Sequence, residues 1–219
     1  MGQAYKIDRI NLITYKGQRK KTVKSLRCRY MAKSQIVNCM AQSQSFEYVN
    51  FRGSHFKKVN FKNAVFIGCD FWGTVFNDCK FQNVKFQDCI FMASKFQNCD
   101  FLGATFSYST IVNTNIDECH NIDISSGVFR YQTYPTIDVY PELRQALEAL
   151  KNNRNLKKNK VLYISDKKYN SLNLFLLQKR FHNRLPSLLM ELANHSTAKI
   201  TTYKKLERTL NKFLKTDII

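Results

Sequence analysis

Phe46-Glu47-Tyr48-Val49-Asn50-Phe51-Arg52-Gly53-Ser54-His55-Phe56 opens a stretch with a phenylalanine at every fifth residue. The row runs thirteen times without a miss to Phe106, and Ile111 and Ile116 continue it. Of the 17 phenylalanines only Phe129, Phe175, Phe181 and Phe213 lie elsewhere. A helix repeats near 3.6 residues and a strand at 2, so a period of five belongs to neither. A second row stands two residues before each phenylalanine: Val49, Ser54, Val59, Ala64, Cys69, Thr74, Cys79 and onward to Cys119. Every member is small. One large apolar and one small residue in each five, with polar residues between, describe a coiled ribbon whose two inward positions fill a narrow axis. Such repeats set the whole architecture, because each unit buries its apolar side only against its neighbours.

Units such as Cys79-Lys80-Phe81-Gln82-Asn83 and Cys99-Asp100-Phe101-Leu102-Gly103 resemble the pentapeptide-repeat family. Its motif is a small residue, a polar residue, Leu or Phe, and two polar residues. The resemblance covers residues 46–120, with a weaker beginning near Met31 carried by Ser34, Ile36, Cys39 and Ala41. It implies a mainly β solenoid, a right-handed quadrilateral β-helix with one pentapeptide per side and four per turn. Residues one turn apart then stack at about 4.8 Å, and about four turns make a rod of roughly 20 Å whose ends need caps.

The flanks complete a four-part division. Residues 1–30 alternate polar and apolar around Lys16-Gly17-Gln18, with Ile7, Ile10 and Leu12 on one side and Val23 and Leu26 on the other; this predicts a basic N-terminal hairpin or cap. Residues 31–125 are the repeat coil. The count of five slips after Cys119, and residues 126–140 read as an aromatic cap or linker, with a stacking platform for bases as the bolder alternative. Residues 141–219 read as a small basic α-helical domain. Pro141 opens a helix with the stripe Leu143, Ala146, Leu147 and Leu150, and 152–159 is a polar connector. An apolar helix over 172–185 is ended or kinked by Pro186, and a last stripe runs from Ile200 through Leu206 to Leu214.

The net charge is +19, unevenly placed. Residues 1–40 carry ten Lys/Arg and one acid, 41–125 carry seven and eight, and 126–219 carry eighteen and seven. The coil reads as neutral and both ends as basic. Either this is a solvated lysine-rich surface, or it serves an anionic partner: nucleic acid, a nucleoprotein or an acidic protein surface. The residues expected to make such contacts are Arg19, Lys20, Lys21 and Lys24, with Lys157, Lys158, Lys160, Lys204, Lys205 and Arg208 in the helical domain. No apolar run reaches the ~18 residues of a membrane span, and neither a signal-peptide stretch nor a myristoylation motif opens the chain, so a cytoplasmic protein is expected.

Cys39, Cys69, Cys79, Cys89, Cys99 and Cys119 occupy the small inward row, which makes them buried core residues rather than ligands. No C-x-x-C is present, and the four histidines are scattered. No glycine-rich phosphate loop or nucleophile–base pairing is found, and a coil packed solid along its axis offers no cleft. No enzymatic activity, metal or cofactor is expected.

One outer face departs from the polar rule. Every twentieth residue just after the inward Phe gives Arg52, Trp72, Met92 and Val112 in one column, with Ile90 beside them and Gly53, Gly73 and Ala93 at the corners. Either a flank folds over this wall, or it is a homodimer or partner interface anchored by Trp72 and Met92. A scaffold or adaptor binding a macromolecule through the wall and the basic ends is the leading expectation. The resemblance adds an alternative, a topoisomerase-interacting protein acting on a topoisomerase–DNA complex, since some family members protect type II topoisomerases from drugs or toxins, and some of these do so by mimicking DNA. That mode needs a negative exterior, and protecting members often carry loops that break the repeat, whereas Phe46–Ile116 is unbroken. Electrostatic binding of nucleic acid is the third reading.

Overall fold

Each pentapeptide contributes one side and a tight corner, and along most of the coil every second side is a three-residue strand. The corner falls two residues after each position of the phenylalanine row, and positive φ recurs there at every fifth position from Lys33 to Asn113. L-residues adopt this left-handed backbone reluctantly, whereas Gly, Asn and Asp tolerate it. Eleven of those seventeen corners are Asn, Asp or Gly, so corner composition as well as the inward rows encodes the coil.

The computed structural model describes residues 9–124, 127–195 and 198–216. Two units are present, one ending at Thr133 and one beginning at Tyr134. The strands of the first are β1 (Asn11–Ile13), β2 (Leu26–Arg27), β3 (Gln35–Val37), β4 (Ser45–Glu47), β5 (His55–Lys57), β6 (Val65–Ile67) and β7 (Val75–Asn77). They continue as β8 (Lys85–Gln87), β9 (Ile90–Met92), β10 (Lys95–Gln97), β11 (Thr105–Ser107), β12 (Ser109–Val112) and β13 (Val128–Tyr131). Three parallel sheets, ordered β1-β3-β5-β7-β10, β11-β8-β6-β4-β2 and β13-β12-β9, form three sides. Single bridges along Met40, Asn60, Lys80, Asp100 and His120 close the fourth. Register is one turn per twenty residues: Phe56 lies opposite Phe76, and Phe76 opposite Phe96.

The inward phenylalanines form four stacks. Phe61, Phe81 and Phe101 succeed one another at 5.2 and 4.8 Å, and Phe71 and Phe91 at 4.9 Å. Neighbouring stacks meet mostly edge-on, as Phe76 meets Phe81 at 5.4 Å and 75°. Offset stacks combined with edge contacts suit the ring quadrupole.

The coil is longer than the repeat count predicts, about six turns instead of four. The hairpin expected at 1–30 is not formed by its described part. β1 instead pairs in parallel with β3, Leu12 opposite Ile36, and β2 with β4, Leu26 opposite Phe46. Residues 9–30 are thus a first coil turn, from which Tyr15–Lys20 loops out. Alternation of polar and apolar residues describes a coil side as well as a hairpin strand, and Ile10, Leu12 and Leu26 pack on the coil core. Residues 1–8, including Ile7, lie outside the described residues. At the other end the slip after Cys119 is real: Thr110 pairs with Phe129 and Ile111 with Arg130, nineteen residues on. The segment 126–140 is therefore not wholly cap or linker, since Val128–Tyr131 is the coil's last strand.

Asp100 ties the last turns together. Its carboxylate accepts from Asn121 (2.9 Å), Gln82 (2.7 Å) and the Leu102 N–H (3.1 Å). These bonds, Asn121's foremost, hold the carboxyl below its ordinary range. A depressed carboxyl lends stability that is present above its unfolded pKa of about 4 and is lost as pH falls through the folded value. Thermal unfolding followed against pH should show stability falling below about pH 4, and Asp100→Asn should flatten that fall.

In the second unit α1 (Pro141–Leu150) buries Leu143, Ala146, Leu147 and Leu150, the stripe read from sequence. The expected connector at 152–159 contains a short helix, α2 (Arg154–Lys158). It forms because the Asn153 side chain caps the N–H groups of Asn155 and Leu156. The antiparallel pair β14 (Tyr163–Ser165) and β15 (Lys168–Tyr169) follows. Next come α3 (Ser171–Phe181), α4 (Leu185–His195) and α5 (Tyr203–Thr216). Pro186 does not end the preceding helix. The break is the 3-10 turn His182–Arg184, entered through His182 at φ 49°, and Pro186 sits in the first turn of α4, where its missing N–H has no partner to lose. Leu147, Leu177, Leu189 and Leu206 share this unit's own core.

Candidate functional surfaces of the coil

The twenty-residue register does place Arg52, Trp72, Met92 and Val112 in one column, with Ile90 in the same strand as Met92. The Arg52 guanidinium lies over the Trp72 ring, 3.6 Å from its centroid, a cation–π contact. Its Nη1 also stands 3.7 Å from Oδ2 of Asp70, whose Oδ1 accepts from the Trp72 N–H at 3.0 Å. The two charged side chains are only 10 % and 7 % exposed. Burial pushes the Asp70 carboxyl up, with Arg52 opposing, and pulls the Arg52 guanidinium down, with Asp70 opposing. Burial likewise raises the Tyr30 phenol.

Of the two readings the sequence left open for this wall, the burial of its apolar residues agrees with the covered one. Ile90, Met92 and Val112 are 5, 3 and 0 % exposed, so they offer no bare apolar surface to a partner. Arg52 and Trp72 are occupied with each other and with Asp70.

The charge is placed differently from the sequence averages. Residues 9–69, the first three turns, carry thirteen Lys/Arg and one acid, Glu47, which pairs with Arg27 at 3.1 Å. Residues 70–124 carry three Lys/Arg and seven acids. The coil is thus polarised along its axis instead of neutral; a single window over 41–125 cancels the two halves. Arg19, Lys20, Lys21 and Lys24 are all exposed on the first turn. Its backbone is pinned to the second by Val23 N–H to Met40 O (2.7 Å) and Met40 N–H to Lys21 O (2.8 Å). The helical cations belong to the other unit. There Lys157 pairs with Asp166 at 2.6 Å and Lys204 with Glu207 at 2.9 Å, while Lys160 and Arg208 are exposed and Lys158 and Lys205 half-buried.

The small inward row does more than fill space. Cys69 Sγ donates to Phe46 O at 3.2 Å, and Cys79, Cys89 and Cys99 each to the carbonyl twenty-three residues back at 3.5 Å. Thr74 and Ser94 place hydroxyls on the equivalent carbonyls of Phe51 and Phe71 at 2.9 and 2.6 Å. Cys, Ser and Thr are therefore interchangeable as small donors, which a reading by size alone misses. Burial raises the Cys39 and Cys89 thiols, which keeps them protonated and poorly nucleophilic. Among the described residues no group of three or more His, Cys, Asp or Glu is placed to hold a metal ion. Cys39, Cys69, Cys79, Cys89 and Cys99 should resist a thiol reagent until denaturant is added, while half-buried Cys28 and Cys119 react earlier. Mass spectrometry of timed labelling measures this, and early labelling of Cys79 or Cys89 would contradict it.

The last turn does hold a depression, contrary to the expectation of no cleft. About 800 Å³ is lined by residues that include Ile111, Asp117, Arg130 and Tyr131. Two of these residues, Ile111 and Arg130, are opposite each other in the nineteen-residue step. Among the described residues no helix is long and apolar enough to cross a membrane.

A four-sided coil stacked on this register defines a repeat protein, and residues 39–116 match the family model described as a pentapeptide repeat region. This part of the chain is a pentapeptide-repeat β-helix. Among solved structures the chain is similar to Rfr23, a pentapeptide repeat protein of the cyanobacterium Cyanothece 51142. The identity is 10 % over 57 % of this chain and 84 % of that one, with a TM-score of 0.25. It is similar to QnrB1, a plasmid-mediated fluoroquinolone resistance protein, at 14 % identity over 56 % and 92 %, with a TM-score of 0.22. HetL of Nostoc sp. strain PCC 7120, involved in heterocyst differentiation regulation, gives 10 % over 47 % and 65 %, with a TM-score of 0.25. Likeness at this level carries no argument about a partner. No curated protein matches the sequence.

Proposed function

We propose that the protein is a non-enzymatic scaffold whose coil holds a dense cationic surface toward an anionic macromolecule. The observation that carries this reading is that residues 9–69 present twelve exposed Lys/Arg against one acid, the thirteenth cation, Arg52, being turned in against Asp70. Solubility needs a charge of only ~2–8 on a small domain, and interspersed signs serve it better than one-sided concentration. Cations mounted on a backbone hydrogen-bonded turn to turn also forfeit less freedom on binding than those on a loose tail. The field of such a patch raises encounter rates with anions and weakens with salt. DNA mimicry would need the opposite sign along the coil, which only residues 70–124 carry.

The test is affinity purification from the native host with wild type and with Arg19→Glu/Lys20→Glu/Lys21→Glu/Lys24→Glu, each with and without nuclease. Wild type should recover partners that the reversed variant loses, with its thermal stability unchanged. Equal recovery by both proteins would overturn the proposal.

A further inference from the structure

Beyond the four first-turn cations, three lysines higher on the coil join the same strip. Lys57 stands in register above Val37, which stands above Ile13. Lys58 forms the next corner at φ 54°, and Lys62 follows, its carbonyl accepting from Ser43 N–H one turn below. On the turn below that, Lys21 O accepts from Met40 N–H, and Thr22 bridges Met40, which bridges Asn60. Lys21 and Lys24 at the bottom and Lys57, Lys58 and Lys62 at the top thus share one strip across three turns, about 10 Å tall at the usual strand spacing. All five are exposed. Glu47 is the sole acid of residues 9–69, and it lies on another side, paired with Arg27.

An exposed aromatic stands at the foot of this strip. Thr14 bonds Val37 O at 3.0 Å, and the chain then turns out through Tyr15–Gln18, closed by Gln18 N–H to Tyr15 O at 3.2 Å. Tyr15 is 67 % exposed among Lys16, Arg19, Lys20 and Lys21. It is the only large hydrophobic exposed within the described part of the first three turns.

Resting on the reading above, we infer that this strip is a binding track for single-stranded nucleic acid: Lys21, Lys24, Lys57, Lys58 and Lys62 meet successive phosphates, and Tyr15 stacks on a base. Cations that follow a backbone beside an aromatic platform are how strands are held without sequence preference. A bilayer surface would favour apolar anchors among the lysines, and Tyr15 alone does not supply them.

Fluorescence anisotropy of the full chain with a labelled oligonucleotide of about 20 nucleotides tests this. Five phosphate contacts at a slope of about −0.7 each should weaken binding roughly 100-fold between about 50 and 200 mM salt. Lys57→Glu/Lys58→Glu/Lys62→Glu should abolish binding at the lower salt. Tyr15→Ala should weaken the single strand about tenfold and leave a duplex unchanged. The inference is overturned by no binding at low salt, by a triple variant that binds like wild type, by a silent Tyr15→Ala, or by retention on phosphatidylserine vesicles without oligonucleotide binding. In any of these cases loss of host partners on first-turn reversal would still uphold the broader reading, so the two fail separately.

Discussion

Phe81→Ala should lower unfolding free energy by about 3–5 kcal/mol, the usual loss for a fully buried aromatic. Phe81 is 0 % exposed and sits mid-stack, 5.2 Å from Phe61 and 4.8 Å from Phe101. Phe76 and Phe86 flank it at 5.4 and 5.6 Å. The backbone on all sides is fixed by turn-to-turn hydrogen bonds, such as Phe81 N–H to Asp100 O at 2.7 Å, so the coil cannot collapse onto the hole. A solenoid transmits stability only between neighbouring turns, and a void in a central turn weakens both interfaces it shares. Phe81→Leu, which keeps apolar bulk but removes the ring contacts, should lose about 1–2 kcal/mol. Urea unfolding followed by circular dichroism gives both values. A midpoint unmoved by Phe81→Ala would mean the ring contributes nothing to the stack.

The stacks were legible because five-residue spacing and side-chain size are both written in the chain. Once Phe61 and Phe81 lie in one column, Arg52 and Trp72 must as well. Relations that cross columns carry no such signal, and a break in the count shows in the chain without its size. Asp70 lies eighteen residues from Arg52, on the diagonal between adjacent strands, so stacking every twentieth residue does not pair them. The first turn resembles a hairpin in sequence because Leu12 and Leu26 carry an alternation that a hairpin shares, and only pairing with Ile36 and Phe46 decides between them. The slip after Cys119 is legible as a lost period, whereas its size, nineteen residues from Ile111 to Arg130, is not. Averaging 41–125 hid Lys57, Lys58 and Lys62 behind Asp78, Asp88 and Asp117. In the helical unit, stripes such as Leu143–Leu150 were readable, whereas α2 hangs on one cap, Asn153.

Asp70→Ala should also cost about 3–5 kcal/mol, by a different mechanism, the loss of one partner from a buried ion pair. It removes the carboxylate facing Arg52 and the acceptor of the Trp72 N–H, while the guanidinium stays in a site that leaves it 10 % exposed. Arg52 cannot shed its charge at any ordinary pH, so acid should not rescue this variant. The reverse deletion behaves otherwise. Arg52→Ala strands a carboxyl that burial already raises, and without Arg52 to oppose it the group should be raised further. A folded value above the unfolded one means stability is fully present below the unfolded pKa and is lost as pH rises through the folded pKa. Arg52→Ala should therefore recover stability on acidification relative to Asp70→Ala, and Arg52→Met/Asp70→Leu should be less damaging than either single change. Urea midpoints at about pH 4 and pH 7 for the three variants measure this. If Arg52→Ala and Asp70→Ala respond to pH alike, the pair is not buried as its 3.7 Å geometry and low exposure require.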